Sequence, residues 1–223
     1  MRRAERAVFV GALAWAAGAV DALSFLLLDG VFTSHVTGNT TAVVLALITG
    51  KGSHPFERLL VLGGFAGGAL VGALLVECHR EHSAAGALLL EAALLLGAVG
   101  LLRRQPGRSV VTDSELLMLA CAMGIQNIAL AGSVLSAHTT HITGPFTDLA
   151  GTLARRLVGR RRLPRDESHG VLVYGGRVLS FTIGVASGGA LFLRAGSAGL
   201  LAPAIAVSAC AVVLWRRPQP CEV

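Results

Sequence analysis

Long apolar stretches separated by short polar or basic pieces organise the chain. The stretches lie at residues 7–28, 37–50, 59–76, 84–102, 116–135, 143–158, 170–193 and 197–215. Most are long enough for a helix that crosses a hydrocarbon core of ~30 Å, whereas the second and the sixth are short. The pattern predicts an all-α, polytopic helical membrane protein with about eight segments, two of them short.

Composition supports this class. Hydrophobic residues make up 53% of the chain and charged residues only 14%, compared with about a quarter charged in a soluble domain. The formal charge of +6 comes mainly from arginines in short clusters between apolar segments, a pattern typical of membrane topology rather than of nucleic-acid binding. The four cysteines show no paired spacing, so we expect no metal site and no cofactor.

The distribution of charge predicts which ends of the segments are cytoplasmic. If every segment crosses and the amino terminus is cytoplasmic, the outer connections hold only Arg80 and Arg194 as basic residues. Both termini are then cytoplasmic, as the excess of basic residues in cytoplasmic loops requires. Charge favours eight crossings, but the sequence leaves open whether segments 37–50 and 143–158 cross fully or re-enter.

An internal repeat divides the chain. Residues 33–41 align without gaps with residues 139–147, and five of the nine positions are identical. At the same offset of 106 residues, Asp21 meets Asn127. The repeat predicts two membrane units of four segments each, at 1–108 and at 109–223, the second including a short cytoplasmic tail. Because four is even, both copies enter from the same side, which predicts parallel tandem repeats.

Each repeat contains a His-x-Thr-Gly element before a short segment. Thr37 is a natural N-cap, and a helix from Thr37 to Gly50 spans only ~21 Å, which places its amino terminus inside the membrane. Such an end exposes N–H groups that need a cavity or a ligand. We therefore predict a solute site between the repeats, lined by Asp21, His35, Thr37, Gly38, Asn39, Gln126, Asn127, His141, Thr143 and Gly144. The alternative is that these residues only cap helices and that the histidines lie in wet outer loops.

Ionisable residues within the segments are costly in lipid and normally face the bundle interior. Four of them are candidates for a coupling group or for a buried ion pair. These are Asp21, Glu91, Asp148 and Arg177.

Several of these residues carry a resemblance to a known family. The motifs are Gly18-x-x-Asp21-x-x-Ser24, Phe32-x-x-His35-x-Thr37-Gly38-Asn39, Gly124-x-Gln126-Asn127 and Thr143-Gly144. Together they resemble the YoaK-type family of bacterial inner-membrane proteins, and the resemblance covers nearly the whole chain. The family is a domain of unknown function, so the resemblance implies a location in the bacterial inner (plasma) membrane and little chemistry. Arg177 belongs to no part of that pattern.

The leading hypothesis is a secondary transporter or permease for a small polar or ionic solute. The alternative is a membrane protein with a structural, assembly or regulatory role. An enzyme is not expected, because no phosphate loop, metal-ligand cluster or nucleophile–base arrangement is recognisable. The expected partners are the lipid bilayer, a small solute or ion and a possible second copy of the chain, with no nucleic acid.

Overall fold

The computed structural model describes residues 3–27, 30–78, 82–104, 113–131, 143–158 and 167–216, and these residues form helices and connections without a strand. The helices are α1 (Arg3–Leu27), α2 (Val36–Thr49), α3 (Pro55–Cys78), α4 (Ser83–Arg104), α5 (Asp113–Ala131), α6 (Thr143–Leu157), α7 (Glu167–Ala195) and α8 (Leu201–Trp215), with a 3-10 helix at Gly196–Leu200. A helix therefore occupies each apolar stretch that the sequence marks.

Several of these helices have the length and apolarity that a membrane span needs. Within the described ranges, four helical stretches meet this requirement, at Glu5–Leu27, Pro55–Glu77, Ser83–Arg104 and Val173–Trp215. Large apolar side chains also cover much of the outer surface, such as Leu70 on α3 and Ile205 on α8, where lipid rather than water suits them. The chain is an integral membrane protein.

Helices α1 and α7 pack side by side in the same direction. Residue numbers rise together along the contact, since Trp15 faces Gly184 and Ala19 faces Gly188. The Trp15 Nε1 also donates a hydrogen bond of 2.9 Å to Ser187 Oγ. We call the end of the bundle where α1 and α7 begin the lower end, and the opposite end the upper end.

Helices α3 and α5 form the second parallel pair, and both begin at the upper end. Gly64 faces Leu117 and Gly68 faces Cys121, so these helices also run together. Near the end of α1, Val31 lies in one apolar cluster with Val61, Leu116 and Ala120, which are at the starts of α3 and α5. Helices α3 and α5 therefore run opposite to α1 and α7.

Helices α4 and α8 pack against each other in opposite directions. The ring of His82, which precedes α4, stacks on Trp215 at the end of α8, with the ring centroids 4.5 Å apart. At the other end of the bundle, Gly199 lies against Leu23 of α1, so α8 descends from the upper end. Helices α1, α4 and α7 rise, and α3, α5 and α8 descend.

This arrangement contradicts two predictions from the sequence. The parallel relation between the halves is wrong, because α5 runs opposite to α1, the helix it was matched with. The eight crossings that charge favoured are not found either, because α2 joins the end of α1 to the start of α3 at the same end of the bundle, and this answers for α2 what the sequence left open. The same holds for α6 between α5 and α7. Because three helices in each half run from end to end, instead of all four predicted segments, the second half begins at the opposite end.

Glycines set the close spacing of the parallel pairs. A methyl group on Gly68 would lie 2.1 Å from the carbonyl oxygen of Cys121 on α5, whereas one on its neighbour Gly67 would meet nothing within 4 Å. Such close approach is what small residues allow in membrane bundles.

We expect Gly68→Ala to destabilise the protein by about 1–3 kcal/mol, the usual cost of overpacking. Gly67→Ala is the matched control and should be neutral or slightly stabilising, because alanine is the better helix former. Thermal unfolding of the two variants in detergent measures the difference. Equal stabilities would show that α3 and α5 are not this close.

Candidate functional site

The chain turns back on itself after α1. Gly30 donates its N–H to the carbonyl of Phe25 at 2.9 Å and has a φ of +92°, a conformation that favours glycine. The ring of Phe32 then lies beside that of Phe25, with centroids 4.5 Å apart. Each residue after Gly30 thus lies beside an earlier turn of α1. We call residues 30–35 the return loop.

The Asp21 carboxylate holds the return loop against α1. It is 1% exposed, and it accepts a hydrogen bond from the Ser34 N–H at 3.1 Å and one from the Ser34 hydroxyl at 2.5 Å. The Thr33 hydroxyl donates to the same carboxylate at 3.4 Å. Asp21 lies six residues before the end of α1, about 9 Å along the helix axis. The return loop therefore descends about that far into the bundle.

Helix α2 begins at the depth of Asp21. Its first flanking residue, His35, has a ring nitrogen 3.8 Å from Asp21 Oδ2, and its side chain is 41% exposed. The His35 ring stacks on Phe32 and makes no side-chain cap to the helix. Thr37 and Gly38, in the first turn, are exposed. The sequence predicts that the amino terminus of α2 lies below the membrane surface. The contact of His35 with Asp21 places it below the upper end of the bundle.

A second contact ties α2 to α3. Asn39 is buried and donates through its amide to the carbonyl of Phe32 at 2.8 Å. Its amide oxygen accepts a hydrogen bond of 2.9 Å from Arg58, which also donates to the carbonyl of Gly30 at 3.3 Å. Arg58 thus connects the start of α3 to the first residue of the return loop and to α2. Arg58 belongs to none of the motifs that the sequence shows, so its position in the sequence gives no signal of this role.

The predicted residues of the second half lie elsewhere. Gln126 is fully buried and donates its amide to the Leu13 carbonyl of α1 at 2.9 Å, which joins the two halves near mid-bundle. Asn127 is half-buried, while Thr143 and Gly144 are exposed at the start of α6. His141 lies outside the described residues.

The hydrogen bonds of the Asp21 carboxylate all go to Thr33 and Ser34, both in the first half. Asp21 and Asn127 were predicted to line one solute site between the repeats. Because α1 and α5 run in opposite directions, Asp21 instead lies toward the upper end and Asn127 toward the lower end. The predicted single site is thus replaced by one polar cluster around Asp21, with Gln126 between the halves.

The remaining ionisable candidates separate into two groups. Arg177 lies near the lower end, within electrostatic range of Asp148 on α6 and of Arg6 on α1. Of the acids that the sequence offered as its partner, Asp148 is the one in range, since Asp21 is held by the return loop. Glu91 lies apart from Arg177 and Asp148 and is fully buried on α4.

Comparison with known proteins gives one match. The chain matches the model of a family described as "Protein of unknown function (DUF1275)" over residues 9–214. No curated protein matches the chain, and no solved structure does.

Proposed function

The chain belongs to the DUF1275 family, whose members are of unknown function, and from its architecture we propose that it is a secondary transporter for a small polar or ionic solute. The observation that carries the proposal is the opposite orientation of two halves, each with a short helix between its first two long ones. Inverted repeats with broken helices are a recurring architecture of secondary transporters, with the substrate near the bilayer midplane.

The helix contacts support an old duplication in inverted form. Gly18 of α1 lies against the Phe181 carbonyl of α7, and Gly124 of α5 lies against the Phe65 carbonyl of α3. Gly124 follows Gly18 by 106 residues, and Phe181 follows Phe65 by 116. In this correspondence α1 matches α5 and α3 matches α7. The α1–α7 contact therefore matches the α5–α3 contact. We infer two repeats, now of three long helices and one short helix each.

The membrane topology that follows has six crossings and two re-entrant pieces. In the sequence, the pieces that flank the lower ends of the helices (2–6, 80, 155–165 and 216–217) contain twelve arginines, and the pieces that flank the upper ends (51–58, 103–108 and 194) contain six basic residues. Because basic residues concentrate on the cytoplasmic side, the lower end is cytoplasmic, and so are both termini. We propose the bacterial inner membrane as the location, in line with the family resemblance.

The return loop and the start of α2 form the upper half of the proposed solute path. Non-helical backbone at membrane depth is stable only where protein buries it or where it borders a cavity. The side chain of His35 and the first turn of α2 are exposed at that depth, so they are positioned to contact a polar solute. Gln126 lies below them, at the contact between the halves.

The test is a search for a stabilising solute, followed by transport. Purified protein in detergent is heated with a panel of small polar and ionic solutes, and a ligand at about 100 times its Kd adds about 2.7 kcal/mol of stability. A stabilising solute should then exchange across proteoliposomes that contain the wild type. His35→Ala should weaken the stabilisation, while Thr49→Ala, on the exposed last turn of α2, should not.

The proposal fails if a solute stabilises the protein and yet crosses no faster than in empty vesicles. It fails also if His35→Ala and Thr49→Ala bind that solute equally well. Either result would favour a structural or regulatory membrane protein.

A further inference from the structure

Glu91 is a buried carboxyl group that the return-loop site does not use. It lies on α4, has 0% exposure, and neither carboxylate oxygen has a hydrogen-bond partner among the described residues. It is the ninth residue of the 22-residue helix, so it lies ~12 Å from the lower start of α4. This depth is well inside the apolar part of the bundle.

Glu91 faces the boundary between the two halves. Helix α4, of the first half, packs against α5 and α8, of the second. On one side, Leu90 and Leu94 pack with Cys121 and Ile125, which places Glu91 level with the middle of α5. On the other side, Cys210 of α8 lies within electrostatic range of Glu91. A movement of one half against the other would therefore change the surroundings of this carboxyl.

Charged neighbours are distant from Glu91. Between Glu115 and the end of α5, Cys121 is the one ionisable residue, and the 3-10 helix has none. The titratable groups with described side chains on or beside the packed elements are these: Cys121 and Cys210 near its level, Asp113 and Glu115 near the upper start of α5, Glu57 and Arg58 at the upper start of α3, and Glu77, His82 and Arg216 near the lower end. A buried carboxylate without a donor or a cation is costly, whereas the neutral acid costs much less.

We propose that Glu91 carries the proton that couples transport to the proton gradient. In the conformation described here the carboxyl is sealed and holds its proton; when the halves move apart, water reaches it and the proton leaves. This inference rests on the proposed transport function and adds its coupling ion. Carboxyl groups within membrane segments commonly serve as proton relays in pumps and transporters.

The first experiment reads protonation without any solute. Dicyclohexylcarbodiimide, a hydrophobic reagent for protonated carboxyls, is added to full-length protein in proteoliposomes between pH 6 and pH 9, and the labelled residues are identified by mass spectrometry. We expect Glu91 to be labelled at low pH and at least tenfold less at high pH. Asp21, whose oxygens accept three hydrogen bonds, should remain unlabelled, and Glu91→Gln should abolish the signal.

A signal at Glu91 that does not change with pH, or no signal at any pH, would overturn the proposal, since the carboxyl would then never exchange its proton with water. The second experiment measures uptake of the solute identified by thermal stabilisation. An inward proton gradient should raise uptake by wild type and by the control Glu77→Gln at least tenfold, and should leave Glu91→Gln unchanged. If Glu91→Gln still responds to the gradient, the coupling role is wrong.

The two failures are distinguishable. If the wild type transports no solute while the labelling of Glu91 depends on pH, the transport function fails and the carboxyl still exchanges its proton. If the wild type transports a solute without any response to the proton gradient, transport stands and the coupling by Glu91 fails.

Discussion

Replacing Asp21 by Ala is expected to lower the free energy of unfolding by about 2–4 kcal/mol, the largest effect of a single substitution outside the helix contacts. The cost arises because the substitution leaves the Ser34 N–H, the Ser34 hydroxyl and the Thr33 hydroxyl without their acceptor in a buried place, and an unsatisfied buried donor costs about 1–3 kcal/mol. Thermal or denaturant unfolding in detergent measures the loss. Thr41→Ala, on the exposed face of α2, is the control and should change stability by less than about 0.5 kcal/mol.

A double-mutant cycle tests whether the loss of stability comes from the hydrogen bonds between Asp21 of α1 and Ser34 of the return loop. Because Ser34 supplies two of the three hydrogen bonds, Asp21→Ala and Ser34→Ala should show a coupling of about 1–3 kcal/mol. Additive effects of the two substitutions would contradict the contact.

Asp21→Asn tests the carboxylate more finely. Asparagine has the same shape as aspartate, so the sequence alone predicts that this substitution leaves stability nearly unchanged. In the structure both carboxylate oxygens accept hydrogen bonds, so the amide would turn an N–H₂ donor toward one of the hydroxyls. We therefore expect Asp21→Asn to be less stable than the wild type and more stable than Asp21→Ala.

Replacing Arg58 by Met is expected to have the second large effect on stability. Arg58 donates to Asn39 at 2.9 Å and to the Gly30 carbonyl at 3.3 Å, and hydrogen bonds from a charged group contribute about 1.5–3 kcal/mol. We expect a loss of about 1–3 kcal/mol of stability, with the return loop detached from α3. Hydrogen exchange of the amides of residues 30–39 should accelerate in the variant, because local opening becomes easier.

Lys51→Met is the matched control for Arg58→Met. It removes one positive charge from the same connection between α2 and α3, and Lys51 is exposed. A surface change of this kind should alter stability by less than about 0.5 kcal/mol. If both variants behave alike, Arg58 acts through its charge on topology and not through its two hydrogen bonds.

Much of the fold could be predicted from the sequence, because apolar length locates helices in a membrane protein. The direction of the helices could not. An error in whether α2 crosses reverses α3, α4 and α5, and the same error at α6 restores the direction of α7 and α8. The 14 residues of α2 are too few to decide this by length. The turn at Gly30 and the hydrogen bonds of Ser34 to Asp21 decide it, and they are contacts between residues 13 apart in sequence.

The candidate site was predicted in part for a related reason. Asp21, His35 and Asn39 could be selected from the sequence because they belong to repeated or polar motifs within apolar surroundings. The connection of Asn39 to Arg58 spans 19 residues and depends on the return of the chain to the same end. Glu91 could be recognised as an intramembrane carboxyl, but its position between the halves required the opposite directions of α4 and α8.

The opposite orientation of the halves is the central claim, and the sidedness of the connections tests it most directly. Single cysteines are placed at Ser53, Ser83, Gln105 and Ser197 in a chain whose native cysteines are replaced by alanine, and a fifth variant retains Cys221 alone. Intact cells are labelled with a membrane-impermeant maleimide. We expect labelling from outside at Ser53, Gln105 and Ser197, and no labelling at Ser83 or Cys221 until the membrane is opened. Labelling of Ser83 together with Ser197 from outside, with Ser53 and Gln105 protected, would contradict the inverted arrangement and restore eight crossings.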